Sequence, residues 1–261
     1  MDSTQASLSG KHALVTGGGR GIGAAIAKQL LLHGARVSIV GRNQLALAST
    51  VAELKLFGEV DYFTVDVTQR TSVTQAFGKA RARFGKIAIL INNAGQAASA
   101  PFVKTDEAVW RQMLEVNLTG TFHCTQEALA DMLSTRWGRV VNVVSTAGLT
   151  GYAYVSAYCA AKHGVIGLTR SLALEVAAKG ITVNAVCPGY TETDIVKDTV
   201  ANIVAKTGRT EEQARAELAA GNPQNRLVQP DEVANAVLWL CLPGSEAMNG
   251  QSLAVAGGEV M

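Results

Sequence analysis

Tyr158 and Lys162 stand four residues apart in Tyr158-Cys159-Ala160-Ala161-Lys162, within a stretch of helical period, and that spacing puts phenol and ammonium on one helix face. A tyrosine ionises near pH ~10, so it exchanges protons at neutral pH only beside a positive charge. Lys162 supplies one. Ser145 ends a short apolar run thirteen positions earlier, where its hydroxyl could hold a carbonyl oxygen while Tyr158 protonates it. The chemistry these residues suit is interconversion of a carbonyl compound and its secondary alcohol. The bland alternative is a buried tyrosine with a snorkelling lysine, and a serine that only caps a turn.

A second constellation, Thr16-Gly17-Gly18-Gly19-Arg20-Gly21-Ile22-Gly23, follows an apolar run and opens a helical segment. Glycines there permit positive backbone dihedrals, close approach of a pyrophosphate and tight helix-on-strand packing, while the helix N-terminus faces the phosphate charge. A flexible turn would also be glycine-rich, but the position between a first strand and a first helix predicts a dinucleotide site. The ribose end should lie after the second strand, where an acid would bind a free 2′-hydroxyl. This chain has Val40-Gly41-Arg42. Arg42, with Arg20 in the glycine turn, offers a planar fork for a 2′-phosphate. NADP(H) is therefore expected over NAD(H), the alternative being two solvated surface arginines.

Short β-branched runs alternate with helical segments, which is the pattern of βαβ units around a buried parallel sheet. The strand segments are His12–Thr16, Arg36–Val40, Val60–Val65, Ile87–Ile91, Gly138–Val144, Thr182–Val186 and Ser252–Val255. Helices are predicted over Gly21–His33, Asn43–Phe57, Arg70–Phe84, Asp106–Ser134 with a break near Asn117, Val155–Ala178 and Pro230–Leu240. Pro230 followed by Asp231 and Glu232 makes a good first turn. Tyr190–Gln229 is long for a tight connection and suits a helical lid over a site. The expected fold is α/β: a single Rossmann-type domain over residues 1–261, a doubly wound parallel sheet of about seven strands with helices on both faces.

Composition bounds the rest. The chain has 261 residues, 48% hydrophobic and 17% charged, enough apolar material for a globular core. A net charge of +2 from 23 basic and 21 acidic residues provides no field to gather nucleic acid or an anionic membrane. The polar start and the short apolar runs predict neither a secretory signal nor a membrane span. Cys124, Cys159, Cys187 and Cys241 are widely spaced, so a reducing cytoplasmic compartment and no metal are expected. His123, His163, Trp110, Trp137 and Trp239 are expected to be structural, the tryptophans packed.

The spacing Gly17, Gly21, Gly23, together with Ser145, Tyr158 and Lys162, resembles the short-chain dehydrogenase/reductase family, and the resemblance runs from about Lys11 to Gly258. It implies further roles. Asp66-Val67 resembles the family's adenine-contacting pair, and Asn92-Asn93-Ala94-Gly95 its N-N-A-G motif, which supports the sheet and lines the cofactor. Asn117 matches the family asparagine that holds a water in the proton relay ending at Lys162. Pro188-Gly189, with Thr191 and Thr193, matches the motif on the nicotinamide side. Ala256-Gly257-Gly258 departs from the D-G-G of many members.

The walls expected around the substrate, Gln96–Phe102 and Thr146–Val155, carry small and apolar residues with no acid or arginine. The chain resembles the 3-oxoacyl reductases and aromatic polyketide ketoreductases, which implies an NADPH-linked reductase of a 3-oxoacyl thioester or similar β-keto compound. An NAD-dependent catabolic dehydrogenase of a 3-hydroxyacyl-CoA or cyclic secondary alcohol is the enzymatic rival. A nucleotide sensor without turnover is the third reading, disfavoured because a sensor needs no proton relay. The family usually forms tetramers, so a homotetramer is expected.

Overall fold

The computed structural model describes residues 7–261. Seven strands form one sheet: β1 His12–Thr16, β2 Arg36–Gly41, β3 Val60–Thr64, β4 Ile87–Asn92, β5 Gly138–Val143, β6 Ile181–Pro188 and β7 Ser252–Val255. Every ladder is parallel, in the order β3-β2-β1-β4-β5-β6-β7. The connections are α1 Gly21–Leu32, α2 Gln44–Leu54, α3 Arg70–Phe84, α4 Glu107–Leu114, α5 Gly120–Thr135, α6 Ser156–Val176, α7 Asp194–Thr207, α8 Glu211–Ala219 and α9 Pro230–Cys241. This is the doubly wound sheet that the alternation predicts.

The central strands are buried along their length because both faces are covered. Ala27 and Leu30 of α1, Leu47 and Val51 of α2, and Val233 and Val237 of α9 pack on one face. Phe77 of α3, Met132 of α5 and Val176 of α6 pack on the other. The strand order reverses between β1 and β4, and the crevice outside the carboxyl ends of the strands at such a reversal is where open α/β sheets bind ligands.

A buried polar chain pins the middle of the sheet. Asn92 on β4 and Asn142 on β5 are register partners; the Asn92 amide donates to Asn142 Oδ1 at 2.8 Å and to Thr125 Oγ1 of α5 at 2.9 Å. Asn142 Nδ2 donates on to Thr169 Oγ1 of α6 at 2.8 Å. These bonds offset the cost of burying amides and tie two strands to the helices that follow them.

Three expectations need correction. The long helix over 106–134 does not break at Asn117: it widens into a π turn at Glu115–Thr119, with the Gly120 N–H reaching back to the Glu115 carbonyl, and resumes as α5. The lid contains α7 and α8 as expected, but a parallel bridge between Thr191 and Val228 also closes its base. Trp110 and Trp239 are exposed rather than packed; Trp137 is half-buried between the Lys11 ammonium, 3.9 Å from its ring centroid, and the Arg139 guanidinium at 4.5 Å. The start of α9 is as read, with Pro230 in its first turn and Gln229 and Glu232 capping each other. Hydrogen bonds from Arg226, then from the Gln229 N–H, pull the Glu232 carboxyl down to about 2.

Candidate active site

The glycine turn links the end of β1 to α1. The Gly17 N–H donates to the Val40 carbonyl at 2.7 Å, and the Asn93 amide donates to the carbonyls of Thr16 and Gly17 at 3.0 and 3.1 Å. Thr16 Oγ1 accepts from the N–H groups of Asn93 and Ala94 at 3.0 and 2.9 Å, so the N-N-A-G segment and the glycine turn brace each other across β1 and β4. Thr50 Oγ1 holds the Gly19 carbonyl at 2.8 Å, and Ile22 packs into the core. A Cβ on Gly23 would lie 2.3 Å from the Gly17 carbonyl oxygen, so only glycine fits there. No side chain caps the start of α1 and its first turn holds no acid. An uncapped helix N-terminus reached over side-chain-free backbone fits a dinucleotide pyrophosphate.

At the other end of this edge, Arg42, Thr64, Val65, Asp66 and Ser72 line an open pocket of about 280 Å³. Asp66 Oδ1 accepts from the Thr68 N–H at 3.0 Å and its hydroxyl at 2.8 Å, and the Asp66 N–H donates to Ser72 Oγ. Val67 is buried, its carbonyl held by His123 Nδ1 at 3.1 Å. The two arginines of the sequence reading part company here. Arg42 borders the pocket, while Arg20 reaches Asp194 of α7 at 3.4 Å in an exposed ion pair.

The residues expected to transfer protons converge near the carboxyl ends of β4 and β5. Ser145 leaves β5 and caps a single turn at Thr146–Gly148, its Oγ accepting from the Ala147 N–H at 3.1 Å. The capping alternative is thus fulfilled, and the same hydroxyl faces Tyr158. Burial pushes the Tyr158 phenol up to about 12 while hydrogen bonding from Ser145 pulls it back. Lys162 is buried, donates to the Val143 carbonyl at 3.1 Å and lies 5.5 Å from the Tyr158 ring centroid. Burial lowers its ammonium to about 8. Desolvation therefore dominates both groups, and at neutral pH the tyrosine is held protonated. Asn117 sits in the π turn, its amide donating to the Gln96 and Met113 carbonyls, both at 2.9 Å. Gly95 lies between the two: a Cβ there would be 2.8 Å from Asn117 Oδ1 and 3.6 Å from Lys162 Nζ.

The last expected positions lie across the cleft. Pro188 ends β6, the Gly189 N–H donates to the Val255 carbonyl at 3.1 Å, and Thr191 Oγ1 donates to the Gly189 carbonyl at 3.0 Å. Thr193 starts α7 and faces Gly21 of the glycine turn, 3.2 Å from where its Cβ would be. The segments Gln96–Phe102 and Thr146–Val155 hold no acid or arginine of their own, but Glu259 of the carboxyl-terminal segment reaches the second, accepting a hydrogen bond from Tyr152.

The comparisons with known proteins agree with this geometry. The profile described as short chain dehydrogenase matches residues 11–203. The chain belongs to the short-chain dehydrogenase/reductase family. It is an oxidoreductase acting on CH–OH groups and their carbonyl counterparts, as its relatives are. Similar members include a 3-oxoacyl acyl-carrier-protein reductase of Rickettsia bellii, 35% identical over 97% of this chain and 98% of that protein. A D-beta-hydroxybutyrate dehydrogenase of Cupriavidus necator is 37% identical over 97% and 99%. Among solved short-chain dehydrogenase/reductase structures, an actinorhodin polyketide ketoreductase variant with NADPH superposes with a TM-score of 0.92, at 38% identity over 95% and 97% of the two chains.

The four cysteines are unpaired, and burial pushes the Cys124 and Cys241 thiols up to about 12 and Cys187 to about 11. None of these three buried thiols is poised as a nucleophile. His163 bonds the Cys159 carbonyl one helical turn back and has no part in the site. Among the described residues no helix is long and apolar enough to cross a membrane.

Proposed function

We propose that this enzyme reduces a 3-oxoacyl thioester or similar β-keto compound with NADPH, Tyr158 serving as the acid. The observation that carries the reading is the convergence of Ser145, Tyr158 and Lys162 in a fold whose glycine-rich turn leads into an uncapped helix N-terminus. NADPH is favoured because Arg42, and no carboxylate, follows β2 at the rim of the pocket where the adenosine ribose would sit. Gly17, Gly19, Gly21, Ile22 and Gly23 would hold the pyrophosphate, Asp66 and Val67 the adenine. Asn93, Ala94, Gly95, Pro188, Gly189, Thr191 and Thr193 would line the nicotinamide half, with Tyr158 and Lys162. Once bound, the reduced nicotinamide supplies the hydride for the carbonyl carbon.

The chain's own residues do the rest. Ser145 donates a hydrogen bond to the substrate oxygen and fixes it beside Tyr158. Tyr158 gives its proton to that oxygen as negative charge develops there. The Lys162 ammonium stabilises the phenolate left behind and restores its proton, through a water held at Asn117. Oxidation of the alcohol runs the same transfers in reverse.

The test follows reduced-nicotinamide absorbance with acetoacetyl-CoA. NADPH should be consumed faster than NADH, and Tyr158→Phe should lower kcat by about a thousandfold or more. Arg42→Ala should weaken NADPH roughly tenfold and leave NADH nearly unchanged. No consumption with either cofactor would overturn the substrate assignment. We also propose that a single domain carries both sites, in a homotetramer working in a reducing cytoplasm. Phe122 and Leu133 on α5, Leu174 on α6 and Trp239 on α9 are exposed apolar residues suited to subunit contacts; a light-scattering mass of one chain would exclude the tetramer.

A further inference from the structure

The strand β7 is followed by a sharp turn that brings an acid back against Gly189 and the segment between Ser145 and Tyr158. Gly257 has φ +63°, and a Cβ there would fall 2.0 Å from Asn222 Oδ1, so the turn packs against the end of the lid at a separation only glycine permits. Its product is the placement of Glu259. One carboxylate oxygen lies 2.7 Å from where a Cβ on Gly189 would be, and the other accepts the hydrogen bond from Tyr152.

Tyr152 lies on the segment between Ser145 and Tyr158, and its hydroxyl is also 2.9 Å from Thr146 Oγ1. A phenol has one proton and a carboxylate only accepts, so Tyr152 donates to Glu259 and receives from Thr146. Burial first, then the Glu259 hydrogen bond, raises the Tyr152 phenol, and the Thr146 bond opposes them. Burial first, then the Glu259 charge, raises the Tyr190 phenol, and Tyr190 adds a small part to the rise that burial causes at Tyr158. Glu259 therefore sits among residues that flank the catalytic serine and tyrosine. Among the described residues it has no ion-pair partner to neutralise it.

We infer that Glu259 is a specificity-determining residue, whose charge rejects carbonyl substrates bearing a carboxylate next to the reacting group and admits their neutral ester, thioester or cyclic counterparts. This deepens the proposed β-keto reductase reading and rests on it. Like charges a few ångströms apart in a partly desolvated site repel strongly, whereas an ester of the same shape meets no such repulsion. Free 3-oxo acids, the oxidised partners of compounds such as the one in the Cupriavidus relative's name, would then be poor substrates here.

Acetoacetate and methyl acetoacetate differ mainly in that charge. Wild-type kcat/KM should favour the ester by about tenfold or more. In Glu259→Gln the ester-to-acid ratio should fall about tenfold, because kcat/KM for acetoacetate rises. Tyr152→Phe breaks the same hydrogen bond but keeps the charge, and should retain the wild-type ratio. A wild-type ratio near one, no change in Glu259→Gln, or an equal fall in both variants would overturn the inference. Saturation-transfer NMR of the two compounds on wild type and Glu259→Gln reads the same discrimination without turnover. If neither compound is reduced, the reductase reading fails while the NMR comparison still decides the role of Glu259.

Discussion

At the glycine-rich edge, the turn from Thr16 to Gly23 is held through its own backbone groups, with the Gly17 N–H bonded to Val40 and the Asn93 side-chain amide clasping two carbonyls. The lid is held differently: Val196, Val200, Ala214, Leu218, Ala219 and Leu227 form an apolar cluster of their own, distinct from the two that sandwich the sheet. The first arrangement leaves no slack, since one methyl group would meet a carbonyl oxygen at 2.3 Å. The second can open at modest cost along α7 and α8, whose buried residues belong to neither main cluster, while Val228 at the base of the lid stays in one of them. A rigid cofactor edge facing an independently packed cover suits an enzyme that keeps one cofactor chemistry while its substrate enters and leaves.

The sharpest way to break that contrast is Gly23→Ala. Its Cβ has no room, so nicotinamide affinity should fall roughly a hundredfold or more, read as the loss of bound-cofactor fluorescence in protein whose circular dichroism is native. Unchanged affinity would show that the turn has slack after all.

Lys162→Met probes the boundary between the two regions. Reduction should slow by about a hundredfold or more, while thermal stability at pH 7 should rise by on the order of 1–3 kcal/mol. The sign follows from an ammonium whose folded value, about 8, lies below its ordinary 10.5. Between those values the unfolded chain binds more protons, so the burial penalty is complete at neutral pH and fades as pH rises toward 10.5. Wild-type reduction should likewise be flat near neutrality and decline above about 8, as the lysine loses its proton. A destabilised Lys162→Met protein would mean that the bond to the Val143 carbonyl outweighs desolvation.

Leu218→Ala tests the independence of the lid. Amide exchange across α7 and α8 should quicken about tenfold or more and KM for the carbonyl substrate rise severalfold, with exchange in β5 unchanged. Equal acceleration in β5 would merge the lid with the sheet core. The smallest effect belongs to Arg20 and Asp194, an exposed pair joining the two regions. Asp194→Asn should change KM by about twofold or less, and the difference should vanish in high salt.

Much of this was legible in the residue order. The glycine turn, the serine, tyrosine and lysine, and the strands all announce themselves within a few residues, because backbone clearance and helix periodicity are local constraints. Glu259 and Tyr152 were not legible: they are separated by 107 positions, and no spacing rule joins a loop after β5 to the segment after β7. The ion pair of Arg20 with Asp194 was equally hidden, because Asp194 arrives from α7, 174 positions away. Trp110 and Trp239 read as packed because apolar aromatic residues usually are, yet residue type alone says nothing of which helix face is left uncovered.

The π turn at Glu115–Thr119 carries one residue more than a regular helix would need. Deleting a residue there would let the hydrogen bonds close at the ordinary spacing with α4 and α5 nearly keeping their faces, and what would be lost is the wide turn itself. Met113 on α4 would stay in the core, while Asn117 inside the turn would lose its aim at Gly95. Chain length in this stretch is thus as much a part of the site as any side chain, and a graft of the site onto another scaffold has to carry the extra residue with it.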